Sequence, residues 1–139
     1  MSPEENKAIV RRLVDEAQCQ GNIGMVDEFL SDSFIDHSAL PGFSPDREGV
    51  KQLFAMFRSA FPDFRAVIHD QIVEGDKVVT RKTFHGTHEG EFLGIPATGK
   101  EVTIEVIDIL RLSGDKITEH WNVVDQLGLM RQLGVIAGQ

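Results

Sequence analysis

The stretch Val102 to Asp125, VTIEVIDILRLSGDKITEHWNVVD, narrows most sharply what this chain can fold into. It reads as two long strands joined at Ser113-Gly114-Asp115, a β-hairpin. Alternation on the first arm puts Val102, Ile104, Val106, Leu110 and Leu112 on one face, with Asp108 the single acid among them. A carboxylate in an apolar row is costly to bury unless it is hydrogen-bonded, paired or protonated. On the second arm Thr118, His120, Asn122 and Val124 share the even face, and Ile117, Trp121 and Val123 the odd one. If the two even faces coincide, Asp108, His120 and Asn122 converge on one patch. A two- or four-residue turn reverses that pairing, because a slip of one residue flips every side chain to the other face. The turn length is open at this level. Both faces of the hairpin are apolar, so both are covered. Helices cover one, and the outer face is expected to meet a second copy in a two-fold homodimer.

Before the hairpin the hydrophobic period is helical. Ser2-Pro3-Glu4-Glu5 is a helix start with a capping box, and Ile9, Val10, Leu13, Val14 and Ala17 follow at helical spacing. Gly21 ends this helix, and Asn22 is placed to cap a short second one with Val26, Phe29 and Leu30 inward. Ser44-Pro45 opens a third, carrying Val50, Leu53, Phe54, Phe57 and Phe61 to its stop at Pro62. No strand is expected among these three helices. From Phe64 the period changes to two, with Phe64, Ala66, Ile68 and Ile72 on one face. A turn at Glu74-Gly75-Asp76-Lys77 leads to a strand from Val78 to Thr87. The loop Gly90 to Lys100 has an apolar middle, Phe92, Leu93, Ile95 and Pro96. Asp125 caps a last helix that ends at Gly134.

Helices followed by a meander predict an α+β fold. A curved antiparallel sheet would wrap on the three N-terminal helices and leave a cone, with Phe92, Leu93 and Ile95 at its mouth. The 139 residues make one domain, 1–139, and 41% hydrophobic with 26% charged residues is a globular composition. A net charge of −8 argues against nucleic acid and anionic membranes as partners. The polar start MSPEENK and the lack of an apolar run of spanning length predict a cytoplasmic chain. Cys19 has no partner for an internal disulfide and no cationic context to activate it. His85 and His88 lie three apart on a strand and so face opposite ways, which argues against a metal site; none is expected.

The runs Gly86-Thr87-His88-Glu89-Gly90, Gly94-Ile95-Pro96-Ala97-Thr98-Gly99 and Gly114-Asp115-Lys116-Ile117 with Glu119-His120-Trp121 resemble the SnoaL-like polyketide and ester cyclase family. Asp36-His37, Phe61-Pro62-Asp63 and Leu129 to Gly134 extend the resemblance over roughly Glu4 to Gly134. It implies an NTF2-like cone and ring closure by intramolecular aldol condensation, without metal or cofactor. A carboxylate there acts as general acid/base, assisted by a histidine. Carried across, the family's histidine falls on Asp108 and its acid/base aspartate on Asn122, so both identities depart from the pattern. Asn cannot exchange a proton near neutral pH but donates a hydrogen bond.

Two functions follow as expectations. One is a cofactor-independent cyclase or isomerase acting on a small, mostly apolar carbonyl or ester compound. In it Asp108, its pKa raised by apolar surroundings, moves the proton, His120 assists, and Asn122 holds the developing oxyanion. His37, Phe92, Leu93 and Ile95 would contact the substrate. The other is a non-catalytic module that holds a hydrophobic small molecule in the same cone, the reading favoured by the Asn.

Overall fold

The computed structural model describes residues 2–135. Helix α1 (Pro3–Arg12) starts as its sequence requires. Ser2 Oγ accepts from Glu5 N at 3.1 Å, and Glu5 reaches back to the Ser2 backbone. The same helix runs on through a π-helical segment, Leu13–Cys19. A short α2 (Met25–Phe29) follows without a side-chain cap. Asn22 contributes its carbonyl, not its side chain, which corrects the expected cap.

Leu30, expected on that helix, instead begins a strand, β1 (Leu30–Asp36), where no strand was predicted. Its Ser and Asp content is poor in strand formers. It is an edge strand that pairs in parallel with a strand far along the chain, so no local turn announces it. Helix α3 (Arg47–Ala60) is capped by Asp46, whose Oδ1 accepts from Gly49 N at 3.0 Å. Then come β2 (Arg65–Glu74), β3 (Lys77–Thr87), β4 (Glu101–Ser113), β5 (Lys116–Val124) and α4 (Gln126–Leu133), the last capped by Asp125 and ended by Gly134. The fold is α+β: a curved five-stranded sheet in the order β1-β5-β4-β3-β2 with helices on its inner face. The parallel β1–β5 pair makes the sheet mixed rather than purely antiparallel.

Two bulges decide which side chains face inward. In β2 the register slips between Ile68 and Asp70, so His69 is an extra residue. Ala66 and Ile68 point in before it, and Gln71 and Val73 after it. Ile72, expected inside, is therefore 65% exposed. In the central hairpin the turn is the two-residue Gly114-Asp115, with Ser113 opposite Lys116 and Leu112 opposite Ile117. Alone, that turn would have put Trp121 opposite Asp108. Thr118 enters as an extra residue, after which Arg111 pairs with Glu119, Leu110 with His120 and Asp108 with Asn122. The even faces coincide because a bulge undoes what the turn imposes.

The interior has two apolar clusters. One joins α1, β1 and the β4–β5 hairpin end through Val10, Leu13, Leu30, Phe34, Leu110 and Ile117. The other stacks Phe57, Phe61, Phe64, Phe84 and Phe92 at the opposite end. Strand β3 and the loop after it approach α3 closely enough that a Cβ at Gly86 would meet Phe61 Cβ at 2.8 Å. One at Gly90 would meet the Ser59 carbonyl at 2.4 Å. His88 is fully buried there, and its Nδ1 accepts from the Thr98 amide at 3.3 Å, which pins the Gly/Pro loop. The outer face of the sheet leaves Ile72, Ile107 and Val123 exposed. Among the described residues no helix is long and apolar enough to cross a membrane.

Candidate active site

Between the helices and the inner face of the sheet lies a cavity of about 290 Å³. Leu13, Val14, Leu30, Phe34, Phe54, Phe57, Phe64 and Phe84 give it an apolar wall. Its titratable liners among the described residues are Asp36, Lys82, Asp108 and His120, and all four belong to one chain of contacts. Strand alternation puts them there. Asp108 sits in the buried row of β4, His120 comes in behind the Thr118 bulge, and Lys82 interrupts the buried row Val78, Thr80, Phe84 of β3. Asp36 is the last residue of β1, paired with His120.

His120 lies between two carboxylates. Its Nδ1 is 2.9 Å from Asp36 Oδ1 and its Nε2 is 2.8 Å from Asp108 Oδ1. A carboxylate only accepts, so both ring nitrogens donate and the ring is an imidazolium. Burial works against that charge, but the hydrogen bonds to Asp108 and Asp36 outweigh it and raise the pKa to about 9. Asp108 has a second partner, Lys82, whose Nζ is 2.5 Å from Oδ2. Burial alone would push this carboxyl up. The Lys82 charge and the His120 hydrogen bond together overcome it and hold Asp108 well below the usual carboxylate range. The expectation of a raised pKa at Asp108 is thus reversed, because apolar surroundings were weighed without the cation beside them. Lys82 also donates to Gln18 Oε1 at 3.3 Å. Asp36 is buried, and its Oδ1 further accepts from Ser38 N at 3.0 Å. Its Oδ2 has no protein partner among the described residues.

Of the residues singled out from the sequence, Asp108, His120 and Asn122 share the cavity wall. The Asn122 backbone amide donates to Ser38 Oγ at 3.0 Å, and its side-chain amide makes no hydrogen bond among the described residues. The other four lie elsewhere. His37 follows Asp36 and therefore turns to the outer face, where it stacks on Trp121 at 4.8 Å and meets Glu119 at 3.0 Å. Phe92 is buried in the aromatic cluster, Leu93 is 48% exposed at a left-handed φ of 48°, and Ile95 closes a tight bridge to Phe92. None of these four lines the cavity, since the loop folds onto the aromatic end. Its half-buried liners from outside the sheet include Leu40, after β1, and Gln126, at the start of α4.

Sequence reasoning missed Lys82 and Asp36. Lys82 carried the same signal as Asp108, one charge in a buried alternating row. Asp36 stood out only within the Asp36-His37 resemblance and gave no sign of facing inward, because β1 was not recognised as a strand. His85 and His88 do part company: His85 Nδ1 meets Thr103 Oγ1 at 3.4 Å, and His88 faces Thr98.

The profile of SnoaL-like polyketide cyclases matches residues 8–133. The chain is 32% identical over 130 residues to aklanonic acid methyl ester cyclase DnrD of Streptomyces peucetius, covering 91% of this chain and 88% of that protein. It is 27% identical over 116 residues to the nogalonic acid methyl ester cyclase of Streptomyces nogalater, covering 82% and 87% respectively. Among solved structures, TsrD from Streptomyces laurentii superposes with a TM-score of 0.89 at 29% identity, over 98% of this chain and 99% of that one.

Proposed function

Because the chain belongs to the SnoaL-like polyketide cyclase family, we propose that it closes a ring in a mostly apolar carbonyl or ester compound by cofactor-independent general acid/base chemistry. The observation that carries this reading is the imidazolium held between two carboxylates in the wall of an apolar cavity. An aldol closure needs a base for a carbon-bound proton and an acid for the oxygen that becomes an alkoxide. Carboxylate and imidazolium in contact supply both.

Asp36 serves as the base better than Asp108. Both oxygens of Asp108 are engaged, by His120 and by Lys82, whereas Oδ2 of Asp36 is free of protein partners among the described residues. In this reading Asp36 takes the proton from the carbon next to a carbonyl, leaving an enolate. The enolate carbon bonds to the second carbonyl carbon, whose oxygen takes the Nδ1 proton of His120, released by Asp36 once that carboxyl is protonated. Asp36 then returns its proton to His120, so no atom is gained or lost. The Asn122 amide, unoccupied by protein, holds the oxygen on which charge develops.

Asp36→Asn tests this with aklanonic acid methyl ester, the compound in the name of the Streptomyces peucetius relative. Expected is a loss of kcat of roughly 10²–10⁴ with the fold retained. Turnover at the wild-type rate would remove the assignment. Asn122, in place of the acid expected from the resemblance, favours the second reading, a binding module. A wild-type chain that binds this ester tightly and returns it unchanged supports that one instead.

A further inference from the structure

Lys82 is only 5% exposed, and the fold gives no reason for an ammonium there. A buried ion pair is often no more stabilising than packed apolar side chains of the same volume. Its place in the charge chain does give a reason. The titratable groups on the cavity wall among the described residues are Asp36 from β1, Lys82 from β3, Asp108 from β4 and His120 from β5. The other polar liners that face them, Gln18, Ser38, Asn122 and Gln126, are uncharged, and α3 presents only apolar side chains. Two cations and two carboxylates alternate, and the site is neutral as a whole. Without Lys82 the remaining three groups would carry a net negative charge inside an apolar cavity. Such a site relieves that charge by binding a proton.

We propose that Lys82 is a positioning residue: through its contact with Asp108 it fixes the protonation of the whole chain, keeping both carboxylates ionised while the mobile proton stays on His120. The role of that proton in turnover rests on the cyclase reading; the protonation of the chain does not. In the absence of Lys82, Asp108 keeps one cationic partner, His120, instead of two, and takes up a proton at a pH where the wild-type chain still holds it ionised.

The test is a carboxyl-carbon NMR titration of Asp108 in the full chain, for the wild type, Lys82→Met and Lys82→Arg. Expected is a wild-type midpoint below the ordinary carboxylate range. In Lys82→Met the midpoint rises at least ~10-fold in proton affinity, and Lys82→Arg returns it toward the wild type. In turnover of aklanonic acid methyl ester, the acid limb of kcat/KM moves up with that midpoint. An Asp108 midpoint unmoved in Lys82→Met overturns the proposal. If that variant does not fold, the wild type alone decides: a midpoint within or above the ordinary carboxylate range overturns it equally. Because the titration uses no substrate, it rules on Lys82 even if the wild-type chain converts no ester, a result that counts against the cyclase reading alone.

Discussion

Two chains of charge run along opposite faces of the same strands. On the inner face Lys82, Asp108, His120 and Asp36 have side-chain exposures of 5%, 6%, 17% and 6%. On the outer face Asp76, Arg111, Glu119 and His37 have 60%, 36%, 23% and 37%, with Trp121 beneath Arg111 and His37. The residue types nearly match, and the members are sequence neighbours: Asp36 beside His37, Glu119 beside His120. Solvent makes the difference. Outside, water screens each pair. Inside, the same chemistry drives His120 up to about 9 and holds Asp108 ionised against its burial. Which face a residue reaches therefore decides whether water screens its charge, and that is set by register.

The largest predicted effects test register itself. Thr118 is the residue the bulge absorbs, so its deletion leaves Leu110 opposite His120 and Asp108 opposite Asn122. That variant is expected to fold and keep its inner chain. Deleting Trp121, three residues on, lies past the bulge. It would turn Asn122 outward and Val123 inward and displace Asp125 from its cap. A loss of more than ~4 kcal/mol in denaturant unfolding is expected, with no turnover. Equal outcomes for the two deletions would refute the bulge as the device that brings the faces together.

The same bulge explains what was legible beforehand. Period and caps alone predicted α1, the β2–β3 turn and the long hairpin; for α3 the period was legible, but the start expected at Ser44-Pro45 lies at Arg47, under the Asp46 cap. The convergence of Asp108, His120 and Asn122 was legible only as one of two alternatives, because no local signal at Thr118 marks it as an extra residue. His69 misled in the same way, and Ile72 went outside. His37 was read from its loop without a strand beneath it. Once β1 is seen to end at Asp36, simple alternation sends His37 out and Asp36 in. Lys82 was legible and overlooked. Its row in β3 is as clear as that of Asp108 in β4, and reading the two rows together would have shown the ion pair.

Next in size are the effects expected from the acid/base role proposed for the inner chain. Asp108→Asn removes the negative charge shared by Lys82 and His120 and replaces one of the two acceptor oxygens with an NH2 donor. Turnover is expected to fall by roughly 10²-fold or more, and unfolding to cost ~3–5 kcal/mol less, since a buried cation loses its partner. Rate assays with denaturant titration check both. A wild-type rate with wild-type stability would mean the inner chain does no more than the outer one.

A smaller effect follows from pH. The pKa of His120 is raised from an ordinary 6.5 to about 9 by its two carboxylates. The folded state binds its proton more tightly than the unfolded chain does. The stabilisation is then fully present below about 6.5 and is lost as pH climbs through about 9. The difference corresponds to at most ~3 kcal/mol. Asp108 works in the opposite sense, stabilising above the ordinary carboxylate range and losing that contribution as pH falls toward its depressed folded value. Thermal melts from pH 5 to 10 should decline on the alkaline side, and less so in Asp36→Asn. A melting temperature flat across pH 6.5 to 9 would contradict an imidazolium between the carboxylates.

The smallest effect is expected on the outer face. Glu119 accepts from His37 and from Arg111, and these contacts lower its pKa, the His37 hydrogen bond most. Yet the group is solvated, and each partner can turn to water when the other is removed. Glu119→Gln and His37→Ala should therefore leave kcat and KM at wild-type values and lower the melting temperature less than any inner-chain variant. A substrate contact by His37, as its sequence position first implied, would show as a raised KM in His37→Ala with kcat kept. Its stacking on Trp121, on the far side of the sheet from the cavity, predicts that KM will not move.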